Sequence, residues 1–171
     1  QVMNEAPIVS SLSLYPQDVS VNTEVFCAGN AYDPDLRPMT QQYTWLSNGQ
    51  EIAQGSHLVL QPGMVQPDDE LICRFRSEDE EGDYDEQEIS TIIQNTDPEI
   101  VSMVIDTPNG VVTGSTIICQ AQAVDIDGEE ISFAYTWSDS LGNQLGTGDS
   151  FTIDPNIVKP AAEVICTAQA S

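Results

Sequence analysis

The chain is predicted to be all-β, folded as two tandem β-sandwiches, and three observations carry that expectation. Its apolar residues recur with period two. Its motifs occur twice in the same order. Each copy holds a Cys, a Trp and a second Cys at nearly the same spacing.

The period comes first. Ile117, Cys119, Ala121 and Ala123 alternate with Ile118, Gln120 and Gln122, and Val164, Cys166 and Ala168 alternate with Ile165, Thr167 and Gln169. Leu71, Cys73 and Phe75 do the same against Ile72, Arg74 and Arg76. Successive side chains of a strand point to opposite faces, so this is strand periodicity. Asn48-Gly49 tolerates positive φ at both positions and marks a hairpin, and Gln61-Pro62-Gly63 interrupts any long helix. Strands are expected near 8–14, 23–31, 41–47, 50–53, 57–60, 69–77 and 87–94, then near 100–106, 115–123, 132–138, 144–145, 150–153 and 162–170. Short strands at this spacing read as sandwiches.

The repeat is the second observation. Asn4-Glu5-Ala6-Pro7 returns as Asn95-Thr96-Asp97-Pro98, Asp33 and Asp35 as Asp125 and Asp127, and Tyr43-Thr44-Trp45 as Tyr135-Thr136-Trp137. Gly55 matches Gly148 and Pro62 matches Pro155, with an offset that grows only from 91 to 93 residues. The expected units are residues 1–95 and 96–171, joined near an X-Pro step that favours an extended linker.

The cysteines are the third. Cys27 and Cys73 flank Trp45, and Cys119 and Cys166 flank Trp137. Metal binding competes as a reading, but there is no Cys-x-x-Cys pair, and the only His is His57. Inward-facing Cys on strands of opposed sheets, packed on a buried Trp, is the immunoglobulin-type arrangement, so disulfides Cys27–Cys73 and Cys119–Cys166 are expected. Closing loops of this length stabilises each unit by about 4 kcal/mol on the chain-entropy model. Persistent disulfides imply an oxidising compartment, the periplasm, the cell surface or the medium, and an extracellular or cell-surface location is expected.

These elements resemble the tandem immunoglobulin-like, cadherin-like repeats of very large secreted bacterial surface proteins. The residues that carry the resemblance are Asn95–Pro98, Cys119, Asp125-Ile126-Asp127-Gly128, Tyr135–Trp137, Gly148, Pro155 and Cys166. It covers nearly the whole chain. The first unit departs from it, with Leu36-Arg37-Pro38 after Asp33-Pro34-Asp35. The tyrosine corner of antibody domains is absent, since Leu71 and Val164 stand two positions before the second Cys of each unit.

Composition narrows the function. The 171 residues include 28 Asp and Glu against four Lys and Arg, a formal charge of −24. Such a chain repels phosphate backbones and acidic lipid, so no nucleic-acid partner is expected, and no apolar run approaches the ~20 residues of a membrane span. A single His57 on a short strand is a poor start for nucleophilic catalysis, and no Gly-rich phosphate loop exists, so no enzyme is expected. His57 reads as a surface strand residue.

The acids are the candidate site. In this fold the second-to-third strand loop and the loop before the last strand lie at the end where the chain enters the domain. That end gathers Glu5, Asp33, Asp35, Asp79 and Asp83 in the first unit, and Asp97, Glu99, Asp125, Asp127, Glu129 and Glu130 in the second. Carboxylate oxygens from several loops suit Ca²⁺. Asp97, Asp125 and Asp127 are expected to share an ion at the junction, with Asp68, Asp69 or Glu70 completing its shell. Against this stands a solvated acidic surface or, for Glu78–Glu88 with its eight acids in eleven residues, a flexible loop.

Aligned through the second Cys, Ser171 corresponds to about Glu78, so the second unit is expected to lack a counterpart of Glu88–Gln94. Gln1-Val2-Met3 reads as the tail of a strand from a preceding repeat, and the chain as a window from a longer array. The leading expectation is a structural or adhesive segment of an extracellular surface protein, its partners being neighbouring repeats of the same or adjacent chains, stiffened by Ca²⁺. The alternatives are a secreted fibre subunit assembled by strand exchange and a carbohydrate- or protein-binding module. For the last, Tyr32, Tyr43 and Tyr84 alone do not make a sugar platform.

Overall fold

A computed structural model describes residues 3–107 and 110–171. The expected strand tail at Gln1-Val2 lies outside the described residues. The chain divides into two compact units, Gln1–Thr96 and Asp97–Ser171. The described residues form strands and no helix.

Unit 1 contains β1 (Ile8–Tyr15), β2 (Glu24–Tyr32), β3 (Met39–Ser47), β4 (Gln50–Gln54), β5 (His57–Val59), β6 (Glu70–Asp79) and β7 (Tyr84–Ile92). They form two sheets of order β1-β2-β5 and β4-β3-β6-β7. Unit 2 contains β8 (Glu99–Asp106), β9 (Thr116–Val124), β10 (Phe133–Asp139), β11 (Gln144–Thr147), β12 (Ser150–Thr152) and β13 (Val164–Ala170). Their sheets, β8-β9-β12 and β11-β10-β13, repeat those of unit 1 without a counterpart of β7 among the described residues. Both units are immunoglobulin-like sandwiches.

The local signals explain much of this. Asn48 and Gly49 take φ of 47° and 79°, both left-handed, and close the β3–β4 hairpin with Ser47 opposite Gln50. Alternation is cleanest in β6, where Leu71, Cys73, Phe75 and Ser77 are buried and the residues between them are not. The disulfides Cys27–Cys73 and Cys119–Cys166 tie the two sheets of each unit together. Trp45 and Trp137 are fully buried beside them.

The matched glycines have a reason as well. The indole N–H of Trp45 donates to the Gly55 carbonyl at 2.8 Å, and that of Trp137 to Gly148 at 2.8 Å. Gly55 and Gly148 sit at φ of 108° and 101°, where a side chain is strained. Glycine there lets the chain turn its carbonyl to the only polar atom of a buried Trp, which otherwise lacks a partner.

One expectation needs correcting. Glu78–Glu88 is not a flexible loop: β6 runs to Asp79, a tight turn covers 80–83, and β7 begins at Tyr84. Arg74 bonds Glu88 at 2.7 Å and lies 3.4 Å from Glu86, Arg76 bonds Glu78 at 2.6 Å, and Arg37 lies 3.4 Å from Glu81. Arg76 also covers the Tyr84 ring, 3.4 Å from its centroid. Four of the run's eight acids are met by the chain's own three arginines: Arg74 across the β6–β7 pair, Arg76 along β6 and Arg37 from the β2–β3 loop.

Candidate functional site

In unit 1 the entering segment, the β2–β3 loop and the β6–β7 turn meet. The Glu5 N–H donates to Asp35 Oδ2 at 2.7 Å. Asn4 Nδ2 donates to Asp79 Oδ2 at 2.7 Å and to Asp83 Oδ2 at 3.0 Å, holding two carboxylates about one amide. Asn4, which carries this contact, was outside the expected set. A search for acidic side chains alone passes over an amide, although Asn4 opens the repeated motif.

Each loop is built on an aspartate that accepts from its own backbone. Asp33 Oδ1 takes the N–H of Asp35 at 2.7 Å and of Arg37 at 3.2 Å. Asp79 Oδ1 takes those of Glu81 and Asp83 at 3.0 and 2.9 Å. In unit 2, Asp125 Oδ1 takes Asp127, Gly128 and Glu129 at 2.8, 3.0 and 3.5 Å. This is the ordinary turn chemistry of Asp. It also explains how unit 1 dispenses with the motif glycine: Leu36 adopts φ 61° where Gly128 adopts 81°, and the Asp33 cap holds the same turn.

Burial distinguishes these acids. Asp33 is 3% exposed, Asp79 6% and Asp127 3%; Asp35 and Asp125 are half-buried; Asp83, Asp97 and Glu129 are exposed. Asp33 Oδ2 and Asn4 Oδ1 are both buried and without a hydrogen-bond partner. No group of three or more His, Cys, Asp or Glu side chains among the described residues is arranged to hold a metal ion. Asp69, offered by the sequence to the junction, serves its own unit: it accepts from Gln66 N–H at 2.8 Å, Asn48 Nδ2 at 2.7 Å and Ser47 Oγ at 3.0 Å. His57 is exposed on β5, its ring 6.2 Å from that of Phe26.

Three carboxyls are held below the usual carboxylate range, those of Asp69 and Asp79 and that of Asp139 at the end of β10. The causes are the Gln66 N–H for Asp69, the Asn4 amide for Asp79 and the Asn143 amide for Asp139, each against the opposing effect of burial. A carboxyl whose folded pKa is depressed contributes stability above its unfolded value, and loses it as pH falls through the folded one. The unfolded value is about 3.9, so the melting temperature is expected to fall on acidification below about pH 4. Asp69→Asn and Asp139→Asn variants should show a shallower fall in an acid series of thermal melts.

Strand orders and disulfides together define the chain as tandem immunoglobulin-like sandwiches. No protein-family model and no curated protein matches it. Five chains of solved structures are similar to it. One comprises three N-terminal domains of the bacteriophage RB49 Highly Immunogenic Outer Capsid protein (Hoc), at 14% identity and a TM-score of 0.36. The likeness covers 97% of this chain and 58% of that one, and carries no argument about function.

Proposed function

We propose that the chain is a non-enzymatic structural or adhesive repeat segment of an extracellular surface protein, of the kind its sequence resembles, with Ca²⁺ taken up at its acidic loops. The observation that carries this reading is what the two units have in common. The disulfide, the Trp-to-glycine bond, the Asp-capped turn and the Asn-x-x-Pro entry all recur at offsets of 91 to 93 residues, and all are scaffold devices. A chain that keeps its framework through duplication is suited to setting distance and orientation between other domains. The partners are neighbouring repeats, and the disulfides suit an oxidising exterior.

The Ca²⁺ part rests on unit 1. A carboxylate buried as deeply as Asp33, with one oxygen unpartnered, favours a cation beside it, and Asn4 Oδ1 offers a second such oxygen. Asp35, Asp79 and Asp83 are tied to the same entering segment. By the repeat, Asp97, Asp125, Asp127 and Glu129 form the second proposed set.

Thermal melts with millimolar Ca²⁺ and with chelator test this. A ligand that binds only the folded state at a hundred times its Kd adds about 2.7 kcal/mol. Calcium titration calorimetry of the Asp33→Asn, Asp35→Asn double variant should show one equivalent fewer than the parent chain. An unmoved melting midpoint removes Ca²⁺ and leaves the spacer reading, which light scattering tests separately by requiring a monomer.

A further inference from the structure

In unit 1 three rings cross the outer face of one sheet. Tyr15 on β1 lies opposite Phe26 on β2, and His57 on β5 lies opposite Phe26 from the other side. Their chain neighbours Leu14, Cys27 and Leu58 are buried, so strand alternation turns all three rings outward. Tyr15 is 71% exposed and Phe26 45%, and His57 is exposed, its ring at 26° to that of Phe26. With neighbouring strands ~4.8 Å apart, the row extends over about 10 Å.

The row is no part of the repeated scaffold. In unit 2 the same register holds Asp106, Ile118 and Ser150. A sandwich of this type closes without it, and rings exposed side by side mark an interaction surface rather than a requirement of the fold. Tyr43 and Tyr84 are engaged elsewhere: the Tyr43 hydroxyl accepts from the Gly29 N–H, and Arg76 covers the Tyr84 ring.

Charge selects the occupant. Among the residues of β1, β2 and β5, Glu24 is the only Asp, Glu, Lys or Arg, in a chain of formal charge −24. The opposite sheet carries Arg74, Arg76, Glu78, Glu86 and Glu88 on β6 and β7. An anionic ligand is repelled by the chain as a whole, and a cationic one is drawn to the acidic loops at the entry end. An uncharged ligand finds on the ring face a surface where its contact desolvates few charges.

The flanks decide which uncharged ligand. Beside the rings stand Ser13, opposite Ala28, and Ser11, opposite Asn30. The Ser13 hydroxyl donates to the Ala28 carbonyl at 3.3 Å and keeps lone pairs for an incoming O–H. The Ser11 hydroxyl accepts from Asn30 Nδ2 at 2.9 Å and keeps its own proton to donate. At this row β2 is paired on both sides, so its backbone is closed to an added peptide strand. A pyranose meets both halves of the surface. Its C–H bonds, partially positive, lie against the negative faces of the rings, and its hydroxyls reach the serines and the imidazole.

We propose that unit 1 binds a neutral oligosaccharide along the row Tyr15–Phe26–His57, on the outer face of the β1-β2-β5 sheet. The site stands on unit 1 alone and survives the failure of the Ca²⁺ or the spacer reading.

The probes are cellohexaose, mannohexaose, xylohexaose, maltohexaose and chitohexaose, titrated into the isotope-labelled full chain and followed by backbone amide shifts. Chelator is present throughout, which separates the outcome from that of the Ca²⁺ melts. At least one sugar is expected to bind at millimolar concentration or below. It should shift the amides of Ser13, Tyr15, Phe26 and His57 and leave those of Asp106, Ile118 and Ser150 in place. Tyr15→Ala and Phe26→Ala, both at exposed positions, should each weaken binding about tenfold through the loss of one ring contact. Phe26→Tyr, which keeps a ring, should retain it.

Absence of shifts with all five sugars overturns the proposal. So does a shift pattern centred outside β1, β2 and β5, or binding that Tyr15→Ala and Phe26→Ala leave unchanged. Equal binding of hexagalacturonate, an anionic sugar of the same length, also overturns it. A dimer by light scattering that Phe26→Ala dissociates, with no sugar uptake, would assign the face to a second copy and overturn it as well.

Discussion

Replacing Cys119 and Cys166 by Ala unfolds unit 2 at a temperature where unit 1 remains folded. The two disulfides close loops of nearly equal length, 46 and 47 residues, so each is worth about 4 kcal/mol on the chain-entropy model. What differs is the core beneath. Twelve buried residues form the core cluster of unit 1, Trp45, Leu60, Leu71 and Ile93 among them, while six, Trp137 included, form that of unit 2. Domains of this size stand only ~5–15 kcal/mol above unfolding, and a thin core places unit 2 at the lower end. Scanning calorimetry of the double variant should show a low-temperature transition that moves down by tens of degrees, with the other unmoved. The equivalent change at Cys27 and Cys73 should leave a destabilised but folded unit 1. If both pairs of substitutions cost their units the same folded fraction, core size is not what separates them.

The second large effect comes from a close contact between strands. Gly29, on β2, faces the ring of Phe75, and a Cβ added there would overlap that ring. Phe75 is fully buried, its ring centroid 4.8 Å from that of Tyr43, so it has little room to retreat. Gly29→Ala is therefore expected to cost about 1–3 kcal/mol by overpacking. Phe75→Ala alone should cost about 3–5 kcal/mol through the cavity it leaves. Unit 2 carries the complementary solution at the same places, Ala121 against Ala168. The double variant should accordingly cost less than the sum of the single ones, with a coupling of about 1–3 kcal/mol in urea denaturation. Strict additivity would mean that the overlap with the Phe75 ring is not what a side chain at position 29 costs.

That pair also marks a boundary between what the sequence carries and what it does not. Period-two alternation, the Asn48-Gly49 turn and the Cys–Trp–Cys spacing are local or nearly local signals, and the strands appear where they place them. Gly29 and Phe75 look unremarkable in sequence, because their relation exists only when the two sheets face each other. The acidic run misleads for a similar reason. Seven of its eight acids fall within the nine residues 78–86, which contain no Lys or Arg, and their cations come from Arg37 in the β2–β3 loop and from Arg74 and Arg76 on β6. At the candidate site the converging loops were legible from the fold type, whereas Asn4 as their link was not. Nor does sequence distinguish an Asp that caps its own turn from one with a free oxygen. Asp33 does both, one oxygen to each.

The disulfides acquire another meaning when the chain is pulled. A force applied through the two termini reaches unit 1 by residues before Cys27 and after Cys73, and the segment between them is bypassed by a covalent link. The same holds for Cys119 and Cys166. At roughly 3.4 Å per extended residue, each crosslink withholds on the order of 150 Å of contour length from a tensile load. Even with every hydrogen bond of the sheets broken, oxidised unit 1 extends to about half of what its residue count allows, and unit 2 to well under half. A tether built this way has a hard stop, and the redox state of its surroundings decides where that stop lies.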